Sequence, residues 1–229
     1  MAASLTITLI VGCSSDDSSD SIATLDPLSP SEIVSRSSDA LADITTFRFA
    51  LSHDGGNTIL TNGIEVQEAS GTAVAPGSYT LDADTLVAGF FVNSQIVVID
   101  HDSYMTHPVT HRWQLLEPDV SPFRTFNPVS LVASILEQVQ DLTPAPPGSA
   151  QEGVYVIGGK LPAIALVALT GGVDETAPPL NVLVTVDGTS LFPVEARITG
   201  RATSAESGEL VRTVRLFEFN SDIVVEPPI

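Results

Sequence analysis

The stretch "IVVIDHDSYMTHPVTHRWQLL", Ile96–Leu116, decides the fold and poses the first chemical question. It holds three of the four histidines, His101, His107 and His111, with Asp102 beside the first. Pro108 excludes a regular helix, so His107 and His111 cannot stack one turn apart as zinc-binding helices require. The one cysteine, at position 13, and the fourth histidine, His53, are distant in sequence. Asp100 and Asp102 alternate with His101 along the chain, and successive residues of a strand face opposite ways. The segment therefore reads as strands joined by a solvated hairpin tip. No metal site is expected.

Working outward, the same pattern repeats. Strands are expected at about 64–74, 77–87, 90–99, 103–106 and 112–116, with no helix-period segment between them, which makes a meander. Upstream, "TFRFALSHD" alternates Phe47, Phe49 and Leu51 against Arg48, Ala50 and Ser52, the signature of a half-buried strand. Before it, Ser29-Pro30-Ser31-Glu32 is a capping box opening a helix, with Pro30 at the first helical position. Downstream, Asn127-Pro128 starts a second helix, whose Val129, Val132, Ile135, Leu136 and Val139 form one broad apolar face. "TPAPPGS" reads as a loop and "GVYVIGG" as a strand. "LPAIALVALTGG" reads as a short third helix, apolar all round, which is buried or faces something oily. Strands at about 179–187, 192–200 and 210–219 close the chain, separated by the turn "VDGTS" and the polar loop "RATSAESGE". Ten strands and three helices give an α+β class with a mostly antiparallel sheet.

Composition limits the partners. The chain has 229 residues, Lys+Arg 9 against Asp+Glu 28, and a formal charge of −19. Phosphate backbones need clustered cations, and none cluster here, so nucleic acid is excluded as a partner. Hydrophobic residues make up 43% and the mean hydropathy is +0.27. That apolar content suits a large β-rich core or an apolar cavity equally well.

The N-terminus reads "MAASLTITLIVGC". Its apolar run is too short for a membrane span, which takes about 20 residues, but it suits the core of a secretory signal. Ile10-Val11-Gly12-Cys13 resembles a bacterial lipobox, although no Lys or Arg precedes the run. The expected organisation is a signal peptide over 1–13 with Cys13 as the lipidated residue, a disordered polar tether over 14–29, and one domain over 30–229. With a single cysteine no disulfide framework is possible.

The order of parts resembles the LppX/LprAFG lipoprotein family, including its LprG-like members. The resemblance runs from Cys13 to Pro228. It rests on "DITTFRFAL", "IVVIDHDSYMTHPVTHRWQLL", "NPVSLVASILEQVQDL", "EGVYVIGGKLPAIALVAL" and "LFEFNSDIVVEPPI", five segments in the family's order and spacing. The loop "PAPPGSAQEG" departs from the family's turn. The resemblance implies a single curved half-barrel sheet wrapped around about three helices, akin to LolA/LolB carriers, with an apolar cavity between sheet and helices. It implies binding of an acylated lipid or glycolipid there and its movement between membrane and outer envelope. The protein would be held at the outer face of the cytoplasmic membrane by its lipid anchor and could hand cargo to an envelope transporter.

Physical chemistry is consistent with this. Burial is worth about 0.8 kcal/mol per methylene, so a 16-carbon chain resists water by roughly 13 kcal/mol and needs a shielded carrier. A carrier needs an apolar concave surface and no catalytic residues. The expected cavity residues are Phe47, Phe49, Leu51, Tyr79, Leu81, Ile96, Val98 and Tyr104 on strands, with Leu131, Ile135, Ile164 and Val167 on helices. No G-x-S-x-G, H-E-x-x-H or strand-following G-x-G-x-x-G occurs, so no enzyme and no cofactor are expected. Two other readings stay open: an envelope lipoprotein with a filled core that binds a protein partner, and metal capture by His101–His111.

Overall fold

A computed structural model describes residue 25 and residues 27–117, 126–146 and 152–229. The expected signal peptide, Cys13 and most of the tether lie outside the described residues.

Helix α1 (Pro30–Ala42) begins at the expected capping box: the Glu32 N–H donates to Ser29 Oγ at 3.3 Å and the Ser29 N–H donates to the Glu32 carboxylate at 2.9 Å. The Ser29 hydroxyl, which donates to the Glu32 carboxylate at 2.6 Å, and the Ser29 N–H hold this exposed carboxyl below its usual range. The strands then run β1 (Thr46–Asp54), β2 (Thr58–Ile59), β3 (Glu65–Val74), β4 (Ser78–Val87), β5 (Phe90–Ile99), β6 (Asp102–Thr106) and β7 (Trp113–Leu116). Helix α2 (Pro128–Gln138) follows, capped by Asn127, whose Oδ1 accepts from the Ser130 N–H at 3.1 Å. The Asn127 amide also donates to the Pro76 carbonyl at 2.9 Å, tying the start of α2 to the β3–β4 turn. Strands β8 (Gln140–Pro144) and β9 (Val154–Leu161) come next, then a 3-10 turn (Ala163–Leu166) and the single-turn helix α3 (Val167–Thr170). Strands β10 (Leu180–Asp187), β11 (Pro193–Thr199) and β12 (Val211–Phe217) complete the order.

All strands join one antiparallel sheet in the order β7-β6-β5-β4-β3-β1-β12-β11-β10-β9-β8, with β2 paired to β3. Its two edges, β7 and β8, do not pair, so the sheet is open. Sequence neighbours pair along both arms, and the β1–β12 pairing joins them, for example Phe49 opposite Leu216.

Two differences from expectation have a common cause. Among the described residues the sheet has twelve strands rather than ten, because β2 and β8 exist through pairing with β3 and β9 rather than through any periodicity of their own. The register of β8 shifts between Gln140 and Thr143, where Asp141 takes a left-handed φ of 48°. The expected third helix is only the 3-10 turn and α3, ended by Gly171 at φ 75°.

The helices lie on one face of the sheet. The core gathers Phe47, Phe49, Tyr79, Ile96, Ile157 and Val182 from strands with Ile33, Leu41, Leu131 and Ile135 from α1 and α2. Gly71 opposes Phe49 on this face. A Cβ there would stand 2.0 Å from the Thr80 carbonyl oxygen and 2.9 Å from the Phe49 ring, so only glycine fits.

Candidate functional site

Register decides which side chains share the inner face. Across β3, β4, β5 and β6 the inner row runs Ala73, Tyr79, Val98 and Ser103, and the next runs Gly71, Leu81, Ile96 and Met105. On the other arm, Leu51, Val214, Ala196, Val184 and Ile157 are successive partners. The inner face is thus apolar across the sheet. Aromatic rings cluster at its middle: Phe47 and Phe49 meet edge-on at 6.3 Å, and Phe192 and Phe219 lie tilted at 4.9 Å. Tyr79 meets Phe126 at 5.3 Å, and burial pushes the Tyr79 hydroxyl up in pKa.

Nine of the twelve expected cavity residues share this interior. Phe47, Phe49, Leu51, Tyr79, Ile96, Val98, Leu131 and Ile135 are buried in the core, and Leu81 packs against it partly exposed. Three do not. Tyr104 pairs with Val97, not Val98, and so stands on the outer face. Ile164 and Val167 are 53% and 42% exposed. Ile164 in the 3-10 turn and Val167 at the start of α3 point out, while Ala163, Ala165 and Leu166 are buried.

The interior is also tighter than the expected cavity. The void bounded by Val132, Ile135 and Leu136 of α2 and by Val184, Ala196, Val214 and Leu216 of the sheet is about 10 Å³. That is far smaller than an apolar cavity of roughly 150 Å³, which takes a benzene molecule. The larger concavity, about 720 Å³, opens on the outer face of β9–β11, among Val156, Lys160, Leu183, Glu195 and Arg197. It carries both charges, and Lys160 donates to Asn181 at 2.6 Å.

The histidine segment forms a hairpin loop between β6 and β7. His107 Nδ1 accepts from the Val109 and Thr110 N–H groups at 3.2 and 3.3 Å, a structural role within the loop. His111 takes a φ of 53°, and His101 sits exposed in the β5–β6 turn. Among the described residues no three His, Cys, Asp or Glu side chains are placed to hold a metal ion, and no helix is long and apolar enough to cross a membrane.

Sequence reasoning missed one cluster. The segment read as a polar loop, "RATSAESGE", buries Glu206 beside a fully buried Arg212 from β12. The two form an ion pair. Glu206 also accepts from the Ala202 N–H at 2.7 Å and the Ile59 N–H at 3.1 Å. Burial pushes its carboxyl up, but the Arg212 guanidinium and the Ala202 and Ile59 N–H groups together outweigh this and the net shift is downward. The cluster extends through Thr58 to His53. A lone charged residue in a polar run carries no sign of burial, so only the register of β12 against β1 reveals it.

No protein-family model matches the chain, and no curated protein sequence matches it. Solved structures do. The chain superposes on LprF from Mycobacterium bovis with a TM-score of 0.67 at 11% identity, covering 87% of this chain and 96% of LprF. It superposes on the Mycobacterium tuberculosis lipoprotein LppX with a TM-score of 0.56 at 16% identity, covering 86% of this chain and all of LppX. With its open antiparallel sheet and helices gathered on one face, the chain has the fold of LprF and of the lipoprotein LppX.

Proposed function

We propose that this is a lipid-anchored envelope protein that takes an acylated lipid or glycolipid between its sheet and helices and carries it between membrane and outer envelope. The observation that carries the reading is the inner face itself. It is apolar from β6 to β9, yet its cover is made of α1, α2 and the short α3 segment rather than a second sheet. The likeness of fold to the lipoprotein LppX supports the same reading, as do the lipobox-like Ile10–Cys13 and the polar stretch after it. In the closed arrangement the apolar surfaces satisfy each other. Cargo enters when the helices move off the sheet, and its acyl chains replace their contacts at little net cost because both are apolar. The carrier works by reversible burial and needs no catalytic group.

The void of about 10 Å³ favours a second reading, an envelope interaction module whose core stays filled. Native mass spectrometry of the full chain carrying Cys13→Ser, produced in a lipid-containing host, separates the two. Adducts of several hundred daltons, lost on organic extraction and identified as acyl lipids, are the expected result. A bare mass even after incubation with glycolipid would overturn the carrier reading and leave the filled core. The same spectrum tests metal capture, through a chelator-sensitive zinc mass shift.

A further inference from the structure

The hairpin joining β4 to β5 ends in a knob that no apolar neighbour among the described residues covers. Phe90 is 75% exposed, Phe91 62% and Val87 40%. The register pairs Val87 with Phe90 and Leu86 with Phe91, so apolar side chains project from both faces of the ribbon. The turn between them, Ala88-Gly89, has φ of 51° and 82°. Such two-residue turns favour Asn, Asp and Gly. The neighbouring β5–β6 turn obeys that preference, with Asp100 at φ 53° followed by His101. Ala88 occupies the corresponding left-handed position against its steric preference, and it keeps the tip free of polar side chains. From Thr85 to Ile99 there is no charged residue, in a chain with 28 acids. The one carboxylate across from the tip, Glu65 opposite Leu86, receives a bond from the Asn57 amide at 3.3 Å.

We propose that Leu86–Phe91 is a docking wedge that dips into the apolar layer of a lipid bilayer. A flat protein surface could cover one face of this knob, whereas a bilayer covers both, together with the turn. Aromatic and aliphatic side chains gain from that transfer. The lack of cations suits uncharged or zwitterionic lipid surfaces rather than anionic ones. The wedge also continues into the inner face. From Val87 and Phe90 the same row passes through Thr85 and Val92, then Ala83 and Ser94, to Leu81 and Ile96 at the core. This second aspect rests on the lipid-carrying reading: the wedge would open an apolar path from bilayer to interior.

The test uses the full chain with Cys13→Ser, so that no acyl anchor contributes, and phosphatidylcholine vesicles. Sedimentation should show partitioning that falls at least about tenfold in F90S/F91S, the scale set by withdrawing two phenylalanines from an apolar phase. F90L/F91L should retain binding, and thermal melts of both variants should match the parent because these rings touch no core. A Phe90→Trp reporter in a Trp113→Phe background should be quenched by brominated acyl chains. Partitioning unchanged in F90S/F91S, or an unquenched reporter, overturns the wedge. So does a dimer abolished by F90S/F91S in a chain that ignores vesicles, which would make the tip a contact between copies. Acyl-lipid adducts in a chain without Phe-dependent vesicle binding sink the wedge and leave the carrier. Phe-dependent vesicle binding without adducts sinks the carrier and leaves the wedge.

Discussion

Arg212 Nε donates to Thr58 Oγ1 at 2.9 Å, across 154 positions of chain, and so ties β12 to the two-residue strand β2. Thr58 Oγ1 lies 2.7 Å from His53 Nε2, and His53 Nδ1 lies 2.7 Å from the Gln67 carbonyl. With a neutral ring, Nδ1–H donates to Gln67, the Thr58 hydroxyl donates to Nε2, and Thr58 accepts from Arg212. Burial favours this form over the imidazolium, whose Nε2–H would donate to Thr58 instead.

Removing Arg212 should be far more damaging than its place beside a polar loop suggests. Arg212→Ala leaves the buried Glu206 without its partner, a change that costs about 3–5 kcal/mol. Replacing both, as R212M/E206L, should recover part of that loss, since two apolar side chains leave no buried charge. Urea titrations of the three proteins check the order, and equal losses for the single and double variants would contradict it.

His53 should make stability fall on mild acidification. Burial lowers its pKa below the usual histidine value, the Gln67 carbonyl opposes this, and the Arg212 charge adds to it. The unfolded chain then takes the proton first, so the contribution is full above about pH 6.5 and shrinks as pH falls through the lower folded value. Glu206, also lowered, adds a second loss that begins below about pH 4.5. Melting curves from pH 8 to 5 should show the parent falling faster than His53→Gln. Parallel curves would mean that folding does not lower the His53 pKa.

Gly71→Ala should destabilise by about 1–3 kcal/mol or more, the usual cost of overpacking. The new methyl would collide with the Thr80 carbonyl and press on the Phe49 ring. Adding Phe49→Leu to this background relieves only the ring contact. A partial recovery in chemical denaturation separates the two clashes.

Leu136→Ala should separate stability from function. Leu136 is 2% exposed and borders the small void under α2. Its truncation costs about 2–5 kcal/mol, according to how far the site collapses. For a carrier the enlarged interior should raise the fraction of chain found with bound acyl lipid. For a filled core it should lower stability and leave the mass unchanged.

Much of the fold was legible because half-buried antiparallel strands advertise themselves with period two. The strands expected at 64–74, 77–87 and 90–99 appear as Glu65–Val74, Ser78–Val87 and Phe90–Ile99. Capping at Ser29 and Asn127 was equally local, since the donor and acceptor lie within three residues. β8 was not legible, because "QDLTP" forms a strand only where β9 offers it a partner.

The sequence by itself determined the alternation within each strand, the helix starts and the acidic, cation-poor character of the chain. It could not say which side of each alternation faces in. Val98 and Tyr104 both looked like cavity residues, yet pairing of Tyr104 with Val97 sends them to opposite faces. Only the tertiary structure decided that question, the closing of the helices to a void of about 10 Å³ and the burial of Arg212 with Glu206. The physical reason is the same for all three. Each depends on contacts between residues far apart in the chain, whose register is set by how the two arms of the sheet meet at β1 and β12.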